Sequence, residues 1–257
     1  MLELRNVYTS FNKGTVDEMN LFKDFNLKIN KGEFVSIIGS NGSGKTTLLN
    51  LICGTYNLDS GAVFFDGKDI TKVKEYKRAK HIGRVFQDPK KGTCSNLTIL
   101  ENFALADNKQ KRYSLTNAIS KKRIDYYKQI ISECNMGLED RMNVKVGTLS
   151  GGQRQALALV IAAMTDIDLL ILDEHTAALD PNSSETIMLL TDKVVKEKDL
   201  TAIMVTHNTR HASTFGNRLL MMNSGEIIMD KSGKEKENTS INDILTVFNE
   251  ISIEVGN

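Results

Sequence analysis

Hydrophobic and polar positions follow two periods along the chain. Residues 2–7 and 25–29 alternate apolar and polar in a two-residue repeat, as half-buried strands do, with a long polar loop through 13–20 between them. Lys31-Gly32 marks a turn. Residues 33–39 (EFVSIIG) form a short β-branched run of the kind buried in a parallel sheet. A helix is predicted from Gly44 to Cys53, a strand over 62–66 ahead of an Asp66-Gly67 turn, and a strand over 82–86. From 88 to 145 the pattern turns helical, over 98–106 and 121–134, with basic clusters at 109–112 and 121–123. A helix over 151–164, an apolar strand over 168–172, a helix over 181–198 and a strand over 201–205 follow. A hairpin is predicted from 218–222 to 226–229 around Asn223-Ser224-Gly225. Met221-Met222 reads as the core of its strand, 231–238 as a charged, solvated connector, and 241–251 as a last helix.

Strands alternating with helical crossovers predict an α/β fold with a mostly parallel sheet covered on both faces. The opening strands and the late hairpin predict antiparallel additions.

Composition narrows the class. The 257 residues are 40% hydrophobic and 25% charged, with 33 basic against 32 acidic side chains. That excludes a disordered tail or a disulfide scaffold, and a net charge of +1 gives no general attraction to nucleic acid or anionic lipid. Cys53, Cys94 and Cys134 are widely spaced, without CxxC, and are expected to be reduced thiols. No apolar stretch approaches the ~18–20 residues of a membrane span. The N-terminus lacks the apolar core of a signal peptide, so a cytoplasmic protein is expected.

Gly39-Ser40-Asn41-Gly42-Ser43-Gly44-Lys45-Thr46 fits GxxxxGK[ST] between a predicted buried strand and a predicted helix, with Thr47 next. Glycines let successive N–H groups turn inward on phosphate oxygens, and the helix start adds its positive dipole end. Lys45 is expected to bridge β- and γ-phosphates and the Thr46 hydroxyl to ligate Mg²⁺. Leu169-Leu170-Ile171-Leu172 runs into Asp173-Glu174. At the carboxyl end of a strand, Asp173 is placed to hold Mg²⁺ through water and Glu174 to orient and deprotonate an attacking water. His207 ends the strand over 201–205 in the same manner and is a candidate γ-phosphate contact.

Leu149-Ser150-Gly151-Gly152-Gln153 resembles the signature motif of the ATP-binding cassette (ABC) ATPases. Gln87 in Val85-Phe86-Gln87-Asp88-Pro89 is similar to their Q-loop, Ala178-Leu179-Asp180 to their D-loop, and His207 to their switch histidine. The resemblance covers nearly the whole chain. It implies one ABC ATPase domain over 1–257: a P-loop NTPase core with an antiparallel N-terminal β subdomain, a helical signature-motif subdomain over about 88–165, and a C-terminal connector and helix over 231–257. It implies a head-to-tail homodimer in which two ATP molecules each lie between the phosphate loop of one copy and Ser150–Gln153 of the other. Ser150 can cap the helix that follows, and the glycines let its N–H groups approach phosphate.

The same resemblance implies that Gln87 joins Thr46 and Asp173 at Mg²⁺, that Asp180 lies near nucleotide, and that an aromatic stacks on adenine. Phe11 is preferred to Tyr8 for its place before Asn12-Lys13-Gly14; either ring could equally pack on the sheet. Two positions depart from the family pattern. His175 stands where Pro is common after the catalytic Glu, either as a neutral variant or as a titratable group near the γ-phosphate. Ala177 replaces a frequent Ser.

FQDPxxGT with NLTIxEN, then DEHTAALD, is similar to cassettes of bacterial tryptophan/tyrosine-type uptake systems. That implies separate permease subunits contacted through 90–100, an extracytoplasmic solute-binding protein, no nucleic acid, and a place on the inner face of the cell membrane. Export or lipoprotein release, a non-transport ABC ATPase and a non-hydrolysing ATP-gated scaffold remain as alternatives.

Overall fold

The computed structural model describes residues 1–109 and 118–254, and for 251–254 the backbone alone. In chain order the elements are β1 (Leu2–Phe11), β2 (Met19–Ile29), β3 (Phe34–Gly39), α1 (Lys45–Cys53), β4 (Ser60–Phe65), β5 (Lys68–Asp69), α2 (Glu75–Arg78), β6 (Ile82–Val85), α3 (Ile99–Asp107), α4 (Ile124–Ser132), α5 (Gly151–Ala163), β7 (Leu169–Asp173), α6 (Pro181–Glu197), β8 (Thr201–Val205), α7 (Thr209–Thr214), β9 (Arg218–Asn223), β10 (Glu226–Ser232), α8 (Lys234–Glu237) and α9 (Ile241–Glu254). The chain divides into two compact units, Met1–Ala79 with Asp199–Asn257, and Lys80–Lys198.

In the first unit, β1 pairs antiparallel with both β2 and β4, and β5 closes that sheet. One face of β1 carries Leu2, Leu4 and Val7 inward and the other is wetted, which is the alternation an antiparallel sheet needs. A second set runs β8, β3, β9 in parallel, with β10 antiparallel on β9. Every residue of β3 and β8 is buried, so both faces of these strands are covered. The α9 residue Ile244 packs with Ile38, Ala212, Leu219 and Met221, and Val247 and Phe248 flank that cluster.

In the second unit, β6 and β7 pair in parallel, Val85 opposite Leu172. Phe103 of α3 stacks on Tyr127 of α4 at 5.3 Å, and both are fully buried. Burial and the Asp107 carboxylate beside it push the Tyr127 phenol up to about 12. The helix α3 begins with a capping box, Thr98 and Glu101 each satisfying the other's backbone N–H.

The expected α/β class holds, with parallel strands in each unit and the antiparallel N-terminal sheet, and Met221 and Met222 are fully buried. Four short elements, β5, α2, α7 and α8, were not predicted. The basic residues 110–112 lie outside the described residues, while Lys121–Arg123 form a 3₁₀ turn ahead of α4.

The connector over 231–238 is not simply solvated. It contains α8, and Lys236 is buried, its Nζ donating to the carbonyls of Ser213, Phe215 and Gly216 at 2.7–2.9 Å. Three carbonyls left by the end of α7 give an ammonium enough acceptors to go inside. Burial nonetheless pulls the amine down to about 8.

Arg78 has a matching role at the end of α1. Its guanidinium donates five hydrogen bonds, to the carbonyls of Leu51, Ile52, Ile70, Thr71 and Val73, and burial lowers its pKa. A cation on the last carbonyls of a helix is favoured by the dipole as well as by the bonds. Arg78→Met removes these donors and strands buried carbonyls, each costing ~1–3 kcal/mol. The expected outcome is a loss of about 3 kcal/mol, seen as a lower midpoint in urea unfolding with an unchanged slope. A second expectation concerns the thiols. Burial pushes the Cys134 thiol up to about 12 and Cys53 is also buried, whereas Cys94 is exposed. Titration with a disulfide reagent at neutral pH should find Cys94 reactive in the native protein and all three thiols reactive in denaturant.

Candidate functional site

The phosphate loop leaves β3 at Gly39 and enters α1 at Lys45. A Cβ on Gly39 would lie 2.2 Å from the Met222 carbonyl oxygen, so the backbones of β3 and β9 can approach there only without a side chain. Gly44, ahead of α1, has φ +101°, a conformation that side chains resist. Ser43 N–H donates to Ser40 O at 3.2 Å and Gly225 N–H to Ser43 O at 3.0 Å, so the loop is braced from within and from the β9–β10 hairpin. Lys45 is buried, its Nζ donating to Gly39 O at 2.9 Å, Ser40 O at 2.8 Å and Ser43 Oγ at 3.3 Å. The loop therefore curls around an ammonium. Ser40, Asn41, Gly42 and Thr46 are exposed and Thr47 half-buried. Backbone amides, a helix start and a fixed cation together make a polyanion cradle.

His207 is exposed two residues past Val205. Because β3 and β8 pair with Ile37 opposite Val205, His207 and Gly39 leave the sheet at the same level on its carboxyl edge. Phe11 ends β1 with its ring edge-on to Tyr56 at 5.9 Å, and Tyr8 is largely exposed on the same strand.

The second unit carries the carboxylates. With Val85 opposite Leu172, the Gln87 and Asp173-Glu174 positions follow their strands at one carboxyl edge. Gln87 is exposed. Asp173 is buried, and Arg84 Nη2 donates to its Oδ2 at 2.7 Å. Glu174 is half-buried and has φ +48°, a left-handed backbone that a non-glycine residue holds at a cost of order 1 kcal/mol. That turn takes its side chain out of the alternation of β7. Asp173 and Gln87 both carry oxygen donors of the type that hard divalent cations prefer. Among the described residues no group of three His, Cys, Asp or Glu side chains forms a protein-only metal cluster.

Ser150 caps α5, its Oγ accepting from Gln153 N–H at 3.2 Å while Gln153 Oε1 accepts from Ser150 N–H. This is the expected cap, and it commits the Gln153 side chain to the backbone. Gly151 and Gly152 lie against the segment after β7: an added Cβ would meet Leu179 at 3.4 Å and Ser183 Oγ at 3.0 Å. Asp180 is itself a cap, accepting from Ser183 N–H at 3.0 Å at the start of α6. Hydrogen bonds from the Ser183 side chain and backbone hold its carboxyl below the usual range. The signature and D-loop segments, thirty residues apart in sequence, are thus packed together as two capped helix starts.

His175 is buried and its Nε2 meets Thr191 Oγ1 of α6 at 3.1 Å. The Thr191 hydroxyl donates to Ile187 O, so the imidazole Nε2–H is the donor to Thr191. Two polar residues not anticipated also touch the site. Arg84 holds Asp173. Gln155, fully buried in α5, donates from Nε2 to the Phe86 carbonyl at 3.1 Å, tying the signature helix to the backbone before Gln87. A basic residue in an otherwise apolar strand, and a second Gln two positions beyond the first, were the available signals.

A phosphate loop at the carboxyl edge of a parallel sheet, with strand-end carboxylates and a capped glycine pair, defines a P-loop nucleotide-binding protein. The description of the ABC transporter family matches residues 22–177, and the chain belongs to that family. It is 44% identical to the tyrosine transport ATP-binding protein of Clostridioides difficile (strain R20291) over 96% of this chain and 98% of that one. It is 35% identical to the spermidine/putrescine import ATP-binding protein PotA of Haemophilus influenzae (strain ATCC 51907 / DSM 11121 / KW20 / Rd) over 91% of this chain, which spans 59% of that longer protein. Among solved structures, a dimeric ATP-binding cassette in a post-hydrolysis state bound to ADP and Pi matches with TM-score 0.77 and 31% identity, covering 90% of this chain and 98% of that one. The ADP conformation of another cassette matches with TM-score 0.80 and 26% identity over 100% of this chain and 99% of that one. The protein is an ABC ATPase, the ATP-binding subunit of a transporter. No helix among the described residues is long and apolar enough to cross a membrane.

Lys45→Ala takes away the one cation that the loop encloses. Its affinity for a fluorescent ATP analogue should fall about tenfold or more. Retained tight binding would remove the assignment of the cradle.

Proposed function

We propose that this chain powers bacterial uptake of a small solute, an aromatic amino acid such as tyrosine, by hydrolysing ATP in a head-to-tail homodimer on the inner face of the cell membrane. The observation that carries the solute class is the 44% identity to a tyrosine transport ATP-binding protein across nearly the full length of both chains. Separate permease subunits and an extracytoplasmic solute-binding protein complete the system. Nucleic acid has no part in it.

In this reading the triphosphate lies in the loop Gly39–Thr47, with Lys45 against the β- and γ-phosphates and Phe11 against adenine. Thr46, Gln87 and Asp173 would hold Mg²⁺, which supplies positive charge to the phosphates when bound. Glu174 orients a water for in-line attack and accepts its proton, and His207 and Gln87 contact the γ-phosphate and that water. The capped start of α5 has its amides free of helical partners and no phosphate loop of its own, which is why a second copy must bring the nucleotide to Ser150, Gly151 and Gly152. Asp180 and its neighbours, packed on the same glycines, lie at that joint. The helical segment over about 88–165 acts as the subdomain that meets the permease through 90–100.

An export reading has a relative too. The macrolide export ATP-binding/permease protein MacB of Pasteurella multocida (strain Pm70) is 33% identical, but this chain spans 34% of it. Uptake is favoured by the higher identity and fuller coverage of the tyrosine transport protein.

Glu174→Gln keeps shape and loses the base. It should bind ATP, lose about 10²–10⁴-fold in turnover, and accumulate as a dimer on size-exclusion chromatography with ATP. Turnover near the wild-type rate would reject Glu174 as the base. Co-purification of a tagged copy with its permease, followed by labelled tyrosine uptake in vesicles, tests the solute class.

A further inference from the structure

Arg84 is a basic side chain in a strand whose neighbours Ile82, Gly83 and Val85 are all buried. Its guanidinium donates from Nη2 to Asp173 Oδ2 at 2.7 Å and sits 4.7 Å from the Phe86 ring centroid. Both partners are shielded, with side-chain exposures of 12% and 13%. A charge pair this sheltered is screened weakly by solvent and salt. An exposed pair would do little; this one sets the charge that Asp173 presents.

We propose that Arg84 is a positioning residue that acts as a built-in counter-cation for Asp173, so that the carboxylate attracts a divalent cation strongly only when nucleotide phosphates accompany it. The proposal rests on the reading of Asp173 as a metal-side carboxylate. Arg84 occupies Oδ2 and fixes the carboxylate rotamer, which leaves Oδ1 as the second acceptor. A carboxylate paired with a guanidinium presents close to zero net charge, so a lone divalent ion gains little there. A nucleotide adds phosphate oxygens and negative charge, and the sum then favours the ion. The consequence is order. Metal enters with nucleotide and does not occupy the carboxylate alone.

The test uses Mn²⁺ as the probe, titrated by electron paramagnetic resonance into the nucleotide-free protein, beside ATP-analogue affinity with and without Mg²⁺. Wild type should bind Mn²⁺ weakly. Arg84→Met, which keeps the apolar stem, should bind it about fivefold tighter or more, with a smaller dependence of metal binding on nucleotide. Arg84→Lys keeps the charge and should stay near wild type, which a merely structural role for the guanidinium would not give. Arg84→Gln, neutral and able to hydrogen bond, replaces the Met variant should that one fail to fold. Unchanged or weaker Mn²⁺ binding by the neutral variants overturns the counter-cation role. The double variant Arg84→Met with Asp173→Asn separates the two readings. If it loses the gain, Asp173 is the metal-side carboxylate; if the gain persists, that reading of Asp173 falls.

Discussion

A triphosphate carries several negative charges, and a protein that binds and releases it must meet them with groups that hold their geometry beforehand. Much of this chain's architecture answers that requirement. The β3–α1 loop curls around Lys45, whose ammonium is fixed by Gly39 O, Ser40 O and Ser43 Oγ. The helix it opens is gripped at its far end by Arg78. Cation at the end, amides at the start and glycines where backbones touch all serve one electrostatic task.

Parallel strands provide an edge within each unit. The pairing of Ile37 with Val205 brings Gly39 and His207 level, and that of Val85 with Leu172 does the same for Gln87 and Glu174. Loops that leave parallel strands at one end are where polar chemistry collects, because the strands themselves are buried on both faces. The left-handed backbone of Glu174 turns the chain at that edge. The second capped helix start, α5, repeats the amide chemistry of the phosphate loop without a loop of its own.

The elements that pattern reading missed are short and depend on side chains from elsewhere. The four-residue helix α2 presents Arg78 to carbonyls of α1, and α7 ends on carbonyls that Lys236 collects. Too few residues are involved for a period to emerge, and the stabilising partners lie in other segments. The same reason explains Lys236. In a charged run it read as solvated, yet three carbonyls at the end of α7 took it inside. His175 was open to two readings, and its place is among buried residues against Thr191.

What the sequence determined by itself was the chemistry and its order: the glycine-rich loop, the carboxylate pair ending an apolar strand, the glycine pair behind a capping Ser, and the buried strands that carry them. These are local, because backbone conformation and burial period are written in a few adjacent residues. Tertiary structure alone decided which side chains neutralise which. Arg84 on Asp173, Gln155 on the Phe86 carbonyl, and Gly152 against Ser183 join positions tens of residues apart. Pairing across such distances depends on strand register and helix packing, and no one-dimensional pattern encodes those contacts.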